Sequence, residues 1–256
     1  MTYRKLLLPI AVLQLLAAYL PTALDLAPSI GERATAEGIP PELPLGPFFA
    51  IWGVIFLAYI VFAIHALRRE TELTRRLAKP LALTGLGTAL WMPLQQIVGN
   101  PVLDLIAILP IGWAAWLSAY RFDTMRGLGG SAIKWTADVL TGFLSGWLTV
   151  AIAISVPRAG RYALGQGPTD SEWISLWSVL AVVSTATWVY KRYISRTIWY
   201  YYAAGWGLLG IVLNNWLRTD FGYFLWITLF FGLWLIYRRW ATGALGSTST
   251  YIAKES

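Results

Sequence analysis

The stretch GPFFAIWGVIFLAYIVFAIHAL, residues 46–67, contains no Asp, Glu, Lys or Arg. At ~1.5 Å rise per residue, a helix of this length crosses the ~30 Å hydrocarbon core of a bilayer. Comparable apolar stretches run approximately over 5–27, 80–98, 101–120, 135–156, 172–190, 197–217 and 221–239. The expected fold class is therefore an all-α membrane protein, a polytopic bundle of about eight transmembrane helices. Hydrophobic residues make up 57% of the chain and charged residues 13%, which leaves no segment for a soluble domain. Residues 5–27 are longer than the apolar core of a signal peptide, and no small-residue cleavage site follows them, so they read as the first helix.

Charge fixes the expected orientation. Sixteen of the 20 Lys and Arg residues fall at the N-terminus, in 68–79, in 121–134, in 191–196 and at the C-terminus. The alternate connections hold only Arg33, Arg158, Arg161 and Arg218. The positive-inside rule then places both termini in the cytoplasm. Gly99-Asn100-Pro101 should close a tight hairpin between the third and fourth helices. The longest outer segment, 28–45, is rich in Pro and Gly and is expected to be an irregular, partly extended lid.

Several function classes are excluded. The basic residues are scattered between apolar runs and form no continuous surface for nucleic acid. With no cysteine and a single histidine, thiolate and multi-histidine metal sites are ruled out. His65, near the cytoplasmic end of the second helix, remains a lone candidate axial ligand for a haem or chlorophyll, although an interfacial histidine explains it equally. A retinal Schiff base needs a lysine at mid-depth, and Lys5, Lys79, Lys134, Lys191 and Lys254 are all terminal or in loops. The halves share no repeat of the transporter kind.

The 15 tryptophans are the outstanding feature. Trp135, Trp173, Trp177, Trp188, Trp199, Trp216 and Trp240 fall near helix ends, where indoles anchor in the membrane interface. Trp91, Trp113, Trp147 and Trp206 fall inside their helices, where an indole N–H needs a partner or a ligand. Counted from the outer helix ends, Trp52, Trp91 and Trp147 share a depth of roughly 9–14 Å. If their helices adjoin, they wall an aromatic cavity under the lid; core packing is the alternative. Phe49, Trp52, Phe56 and Tyr59 share one face of the second helix. Gly142-x-x-x-Gly146 allows close approach of a neighbouring helix or ligand. Gln95, Gln96, Asn100, Asp104, Asn214 and Asn215 fall toward outer helix ends, where they line a polar mouth, cap helices or meet headgroups.

Three motifs resemble one family. Pro47-x-Phe49-Ala50-Ile51-Trp52-x-x-x-Phe56 is similar to a proline followed by Phe-Gly-x-Val-Trp-x-x-Leu-Tyr. Thr88-x-x-Trp91-Met92-Pro93-Leu94 is similar to Asn-x-x-Trp-Ser-x-Leu, with threonine in the place of asparagine. Gly146-Trp147-Leu148-Thr149-Val150-Ala151 is similar to a Trp-Val-x-Phe-Ala region. Together they resemble the TspO/MBR family, the tryptophan-rich sensory or translocator proteins. The resemblance covers residues 1 to about 156 and implies a five-helix core with its lid at 28–45. Residues 157–242 then look like the three additional helices of long bacterial forms, and 243–256 like a mobile tail. It further implies an inner-membrane location in a bacterium and a pocket for porphyrins or other hydrophobic ligands.

The expected ligand-binding residues are Phe49, Trp52, Phe56, Thr88, Trp91, Gln95 and Trp147. The first functional reading is a membrane protein that binds a planar or polyene ligand, tetrapyrrole-like or carotenoid-like, for sensing or transport. The second is an accessory structural subunit of a larger membrane complex, with or without pigment, and the third is an isoprenoid- or porphyrin-modifying enzyme. Acids and bases suited to catalysis are scarce in the expected pocket, and no catalytic residue is assigned. No cofactor is obligatory. A tetrapyrrole, carotenoid or lipid is the expected ligand, membrane lipids and a hydrophobic small molecule are the expected partners, and a homodimer or larger membrane complex is the expected assembly, with no nucleic acid.

Overall fold

The computed structural model describes residues 3–28, 32, 40–125, 131–218, 232 and 234. Among these, the α-helices are α1 (Leu7–Ala23), α2 (Ile51–Arg68), α3 (Glu72–Pro93), α4 (Pro101–Asp123), α5 (Ser131–Ala163), α6 (Glu172–Val189) and α7 (Ile198–Arg218). The eighth expected span at 221–239, the tail at 243–256 and residues 29–31 and 33–39 of the expected lid lie outside the described residues. With their flanking turns, Tyr3–Ala23, Gly46–Arg68, Pro101–Asp123, Ala132–Ala163 and Glu172–Ile194 are long and apolar enough to cross a membrane. The protein is accordingly an integral, multi-pass helical membrane protein. α3 is different because it opens with Glu72, Arg75, Arg76 and Lys79, and α7 because Tyr and Trp replace much of its aliphatic content.

Two helices run well past their expected ends, in both cases through a proline. α3 begins at Glu72, eight residues before position 80. Thr71 caps it, accepting from the Thr74 amide at 3.1 Å, while the Thr74 hydroxyl oxygen accepts from the Thr71 amide at 3.0 Å. Pro80 has no N–H, so the Arg76 carbonyl one turn back loses its helical partner. The Arg121 guanidinium donates to that carbonyl at 3.1 Å, which lets the helix continue. α5 likewise passes through Pro157 to Ala163. At ~1.5 Å per residue its 33 residues extend about 50 Å, beyond the hydrocarbon thickness. Arg158 and Arg161 therefore belong to a helix and not to a loop.

Both ends of the bundle are held by polar contacts. At one end Arg4 donates to the Ala66 carbonyl at 2.6 Å and pairs with Glu70 at 3.0 Å. At the same end Asp123, on α4, accepts from the Ser195 hydroxyl at 3.2 Å and the Arg196 amide at 3.0 Å. This end collects the basic clusters at 4–5, 68–79, 121 and 191–196. The opposite end carries residues 40–45, the described part of the expected lid, the short helical turn Gly46–Ala50 and the α3–α4 hairpin. There a short π-turn, Leu94–Val98, leads to Gly99 at φ 63°, a left-handed conformation that glycine adopts without strain.

α5 is the central post and packs against α2, α4, α6 and α7. Its small-residue motif faces α7. A β-carbon on Gly142 would lie 3.0 Å from the Tyr200 amide nitrogen, and one on Gly146 would collide with the Tyr200 carbonyl oxygen. Glycine at 146 thus sets how closely α5 and α7 approach. Gly146→Ala should lower stability by about 1–3 kcal/mol by forcing the two helices apart. Gly205→Ala, where an added β-carbon meets no heavy atom within 4 Å, should leave the melting temperature unchanged or slightly raised. Thermal melts of both variants in mild detergent read the difference.

Candidate functional site

Trp52 from α2, Trp91 from α3 and Trp147 from α5 meet beneath the lid. The Trp52 ring centroid lies 6.3 Å from Trp91 and 6.3 Å from Trp147, the second pair edge to face. Phe49 approaches Trp147 edge to face at 5.9 Å, and Phe56 stacks on Trp52 at 5.6 Å. The three indoles are at most 5% exposed. A cavity of about 40 Å³ is lined by Phe49, Trp52, Trp91 and Trp147, by the apolar Leu43, Ala151 and Ile154, and by the polar Gln95, Gln96, Ser155 and Arg158. Closed in this way, it has room for a few water molecules and not for a drug-sized ligand.

A polar layer holds this aromatic group in place. Trp91 donates its indole N–H to Asp104 Oδ1, and the Ser155 hydroxyl donates to Asp104 Oδ2 at 3.1 Å. Arg158 stands 3.9 Å from the same carboxylate, one turn further along α5. Asp104 is buried, so three helices, α3, α4 and α5, are joined through one acidic side chain. A buried carboxylate is tolerated only when donors and a counter-charge surround it, and here they do.

Above the cavity, residues 40–45, the described part of the lid, and the following 46–48 are held by polar bonds and by apolar contacts, since Leu43 is buried in a cluster with residues of α5, α6 and α7 and Phe48 packs on Trp206 at 4.5 Å. Glu42 is fully buried and accepts two bonds from the Arg161 guanidinium, which also donates to the Ser175 hydroxyl of α6. Burial pushes the Glu42 carboxyl above its ordinary value, against the opposing pull of the Arg161 bonds and charge. From α7, Asn215 donates to the Pro41 carbonyl at 2.6 Å and Asn214 to that of Pro40 at 3.4 Å. The Gly210 carbonyl accepts from the Leu45 amide at 3.0 Å, and Trp206 donates to the Phe48 carbonyl at 2.8 Å. Only glycine at 210 lets the lid lie so close, because a β-carbon there would come within 2.8 Å of both Phe48 and Pro44.

Of the residues expected from sequence, Phe49, Trp52, Trp91, Gln95 and Trp147 border the cavity, and Phe56 backs Trp52. Thr88 does not border it. Its hydroxyl is buried and donates to the Thr84 carbonyl of its own helix at 2.8 Å. His65 is thirteen residues along α2 from Trp52, about 20 Å away, at the end where the basic clusters gather. Among the described residues, no group of three or more His, Asp or Glu could hold a metal ion. Of the four interior indoles, Trp91 and Trp206 have found acceptors and Trp147 keeps a buried N–H with no partner, while Trp113 is 65% exposed on the outside of the bundle. Trp135, Trp173, Trp177, Trp188 and Trp216 are also exposed, as interface anchors are.

The polar candidates divide differently from expectation. Asn100 caps α4, accepting from the Val102 amide at 3.0 Å and the Leu103 amide at 3.2 Å. Asp104 is buried beside the cavity, and Asn214 and Asn215 clamp the lid. Arg158, Arg161 and Glu42 were missed because the fifth helix was ended at 156, which left both arginines in a loop. The i, i+3 spacing of the two arginines on a continued helix is the signal that would have found them.

A family model described as TSPO-like protein matches residues 36–238, more than half of the chain and reaching through α7. No curated protein and no solved structure matches the chain.

Breaking the lid pair should have unequal consequences for its two partners. Glu42→Gln leaves a buried guanidinium that cannot lose its charge, and should cost roughly 3–5 kcal/mol at any pH near neutrality. Arg161→Met leaves a carboxyl whose affinity for a proton is already raised and rises further without the arginine. The folded state then holds a proton that the unfolded state has released, so its stability falls as pH rises through the raised value. Arg161→Met should melt higher at about pH 5.5 than at about pH 8, with no such slope for Glu42→Gln. Thermal melts of each variant at the two pH values check this.

Proposed function

Since the chain belongs to the TSPO-like protein family, we propose that it binds a hydrophobic planar or polyene ligand between Trp52, Trp91 and Trp147, for sensing or transport. The observation that carries this reading is the convergence of three buried indoles from three helices around a space with mixed walls. A packing role alone would favour aliphatic side chains, which fill a core without leaving an indole N–H unpaired. Trp52 and Trp147 pack edge to face at 6.3 Å in the closed state, so on this reading a flat or conjugated body lies against the rings only once the space beside them has widened.

Ligand binding on this reading requires the cavity to enlarge. Pockets for such molecules measure roughly 300–1,000 Å³, and the closed space is about 40 Å³. The lid can provide the change, because its polar attachments are a few bonds to α5 and α7, beside the apolar contacts of Leu43 and Phe48. A second space of about 490 Å³ opens between α3 and α4, lined by Leu83, Gly87, Leu90, Ala107 and Trp113 and bounded by Trp91. Trp91 therefore borders both the inner cavity and a groove on the outside of the bundle. Binding, release and any signal follow from movement of the lid and of Trp91, with no catalytic group required. In this reading the basic end faces the cytoplasm and the lid faces the opposite side of a bacterial inner membrane.

Titration of the purified protein with protoporphyrin IX should quench tryptophan fluorescence in a saturable way. Trp147→Ala and Trp91→Ala should each weaken binding about tenfold or more, while Trp177→Ala, at the surface, should leave it unchanged. Equal affinity in all four proteins would remove the proposed site.

A further inference from the structure

Resting on the pocket reading above, we infer that the ligand reaches the inner cavity from the bilayer: a planar or polyene molecule dissolved in the membrane docks in the groove between α3 and α4 and passes inward when the Trp91 ring turns aside. The depth of the groove suits this route. Its α4 residues, Ala107 to Ala114, lie roughly 9–20 Å from the hairpin end of a helix long and apolar enough to span a membrane. Hydrocarbon faces the groove there, and an apolar solute is concentrated in that phase. The groove is built from apolar residues, with Gly87, Ala107 and Ala114 leaving room among the larger Leu83, Leu90 and Trp113. Its volume of about 490 Å³ is that of a small-molecule site, whereas the closed inner cavity measures about 40 Å³.

Two observations favour a conjugated ligand over an acyl chain as the occupant. Trp113 borders the groove and is 65% exposed, at about 18 Å from the hairpin end, far deeper than an interfacial anchor belongs. Leucine would serve an acyl chain as well, while an indole offers a flat face to a flat molecule. The second observation is that Trp91 borders both the groove and the inner cavity. Its ring has one donor, which is given to Asp104. When that bond is released, the carboxylate keeps the Ser155 hydroxyl and the Arg158 charge, so a turn of the ring joins the two spaces without stranding the acid. Entry past residues 40–48 is harder, because it must part Glu42 from Arg161 and leave two buried charges bare. Movement of the lid then gives the ligand room, and Trp91 gives it the way in.

The test is kinetic. Protein in phosphatidylcholine vesicles is mixed rapidly with protoporphyrin IX dimethyl ester, which has the macrocycle without its charges, and the saturable quenching of tryptophan fluorescence is followed in time. Ala107→Phe fills the groove, and Leu90→Phe narrows its mouth at a position 73% exposed, where the fold is not disturbed. Each should slow association about tenfold. Dissociation should slow by the same factor and leave the affinity within about twofold of wild type, as a route does and a final site does not. An unchanged amplitude at saturation shows that the variants are folded. Leu109→Phe, on α4 outside the groove, should bind at the wild-type rate, and Arg161→Met, which unlatches the lid, within about twofold of it. Wild-type rates in both Ala107→Phe and Leu90→Phe overturn the port and leave the groove to acyl chains, while the aromatic pocket stands; faster entry in Arg161→Met then identifies the lid as the route. A native mass in mild detergent that falls in Ala107→Phe overturns it as well, by making the groove an interface between copies of the chain. If no saturable quenching occurs, or if it ignores Trp147→Ala, the pocket reading fails and the port with it.

Discussion

A polar group inside a bilayer has no water to turn to, and this constraint organises the half of the protein that carries residues 40–48. Asp104 is the clearest case. Its buried carboxylate takes the Trp91 indole N–H and the Ser155 hydroxyl, and faces Arg158. Satisfying this one group fixes the rotation of α3, α4 and α5 about their axes, and with it the plane of Trp91. The same need places Arg121 on the carbonyl that Pro80 leaves unpaired, and Trp206 on the Phe48 carbonyl of the lid. Helix packing in a membrane has little hydrophobic drive of its own, so these bonds and the close contact at Gly146 give the bundle its register.

Function, on the proposed reading, draws on the same bonds. The aromatic cluster is held from behind by Asp104 and from above by a lid fastened by an ion pair, two asparagines, backbone bonds to α7 and the apolar contacts of Leu43 and Phe48. Each polar fastening is strong when dry and weakens when water reaches it, because competing hydration replaces it. The lid also makes α7 a component of the site, since α7 carries Trp206, Gly210, Asn214 and Asn215 against residues 40–48. The family match, which extends through α7, spans both the motif-bearing helices and this clamp.

Much of the architecture was legible in the sequence because membrane spans are written as long apolar runs, and because tryptophan depth can be counted at a fixed rise per residue. The common depth of Trp52, Trp91 and Trp147 followed from that count, and that their helices adjoin is what the structure adds. What escaped was the charged layer. The expected spans began at 80 and ended at 156, at the limits of the apolar runs, whereas both helices continue through a proline, and at Pro80 a distant arginine side chain takes the orphaned carbonyl. Ending α5 early turned Arg158 and Arg161 into loop charges and left Asp104 and Glu42 without partners to suggest burial. Thr88 was assigned by its place in a motif, yet a hydroxyl in a helix readily bonds the carbonyl four residues back, and it does so here. Trp113 was placed inside by depth alone, which carries no information on which face of the helix it occupies.

The central claim is that the indoles at 52, 91 and 147 surround the ligand space and the remaining tryptophans do not. Fluorine NMR of protein labelled with 5-fluorotryptophan in nanodiscs tests this directly, with each resonance assigned by a single Trp→Phe substitution. A conjugated ligand added to saturation should shift the resonances of these three residues together through its ring current and leave Trp177 and Trp188 unmoved. Shifts confined to the surface tryptophans, with the three interior resonances unchanged, would contradict the account.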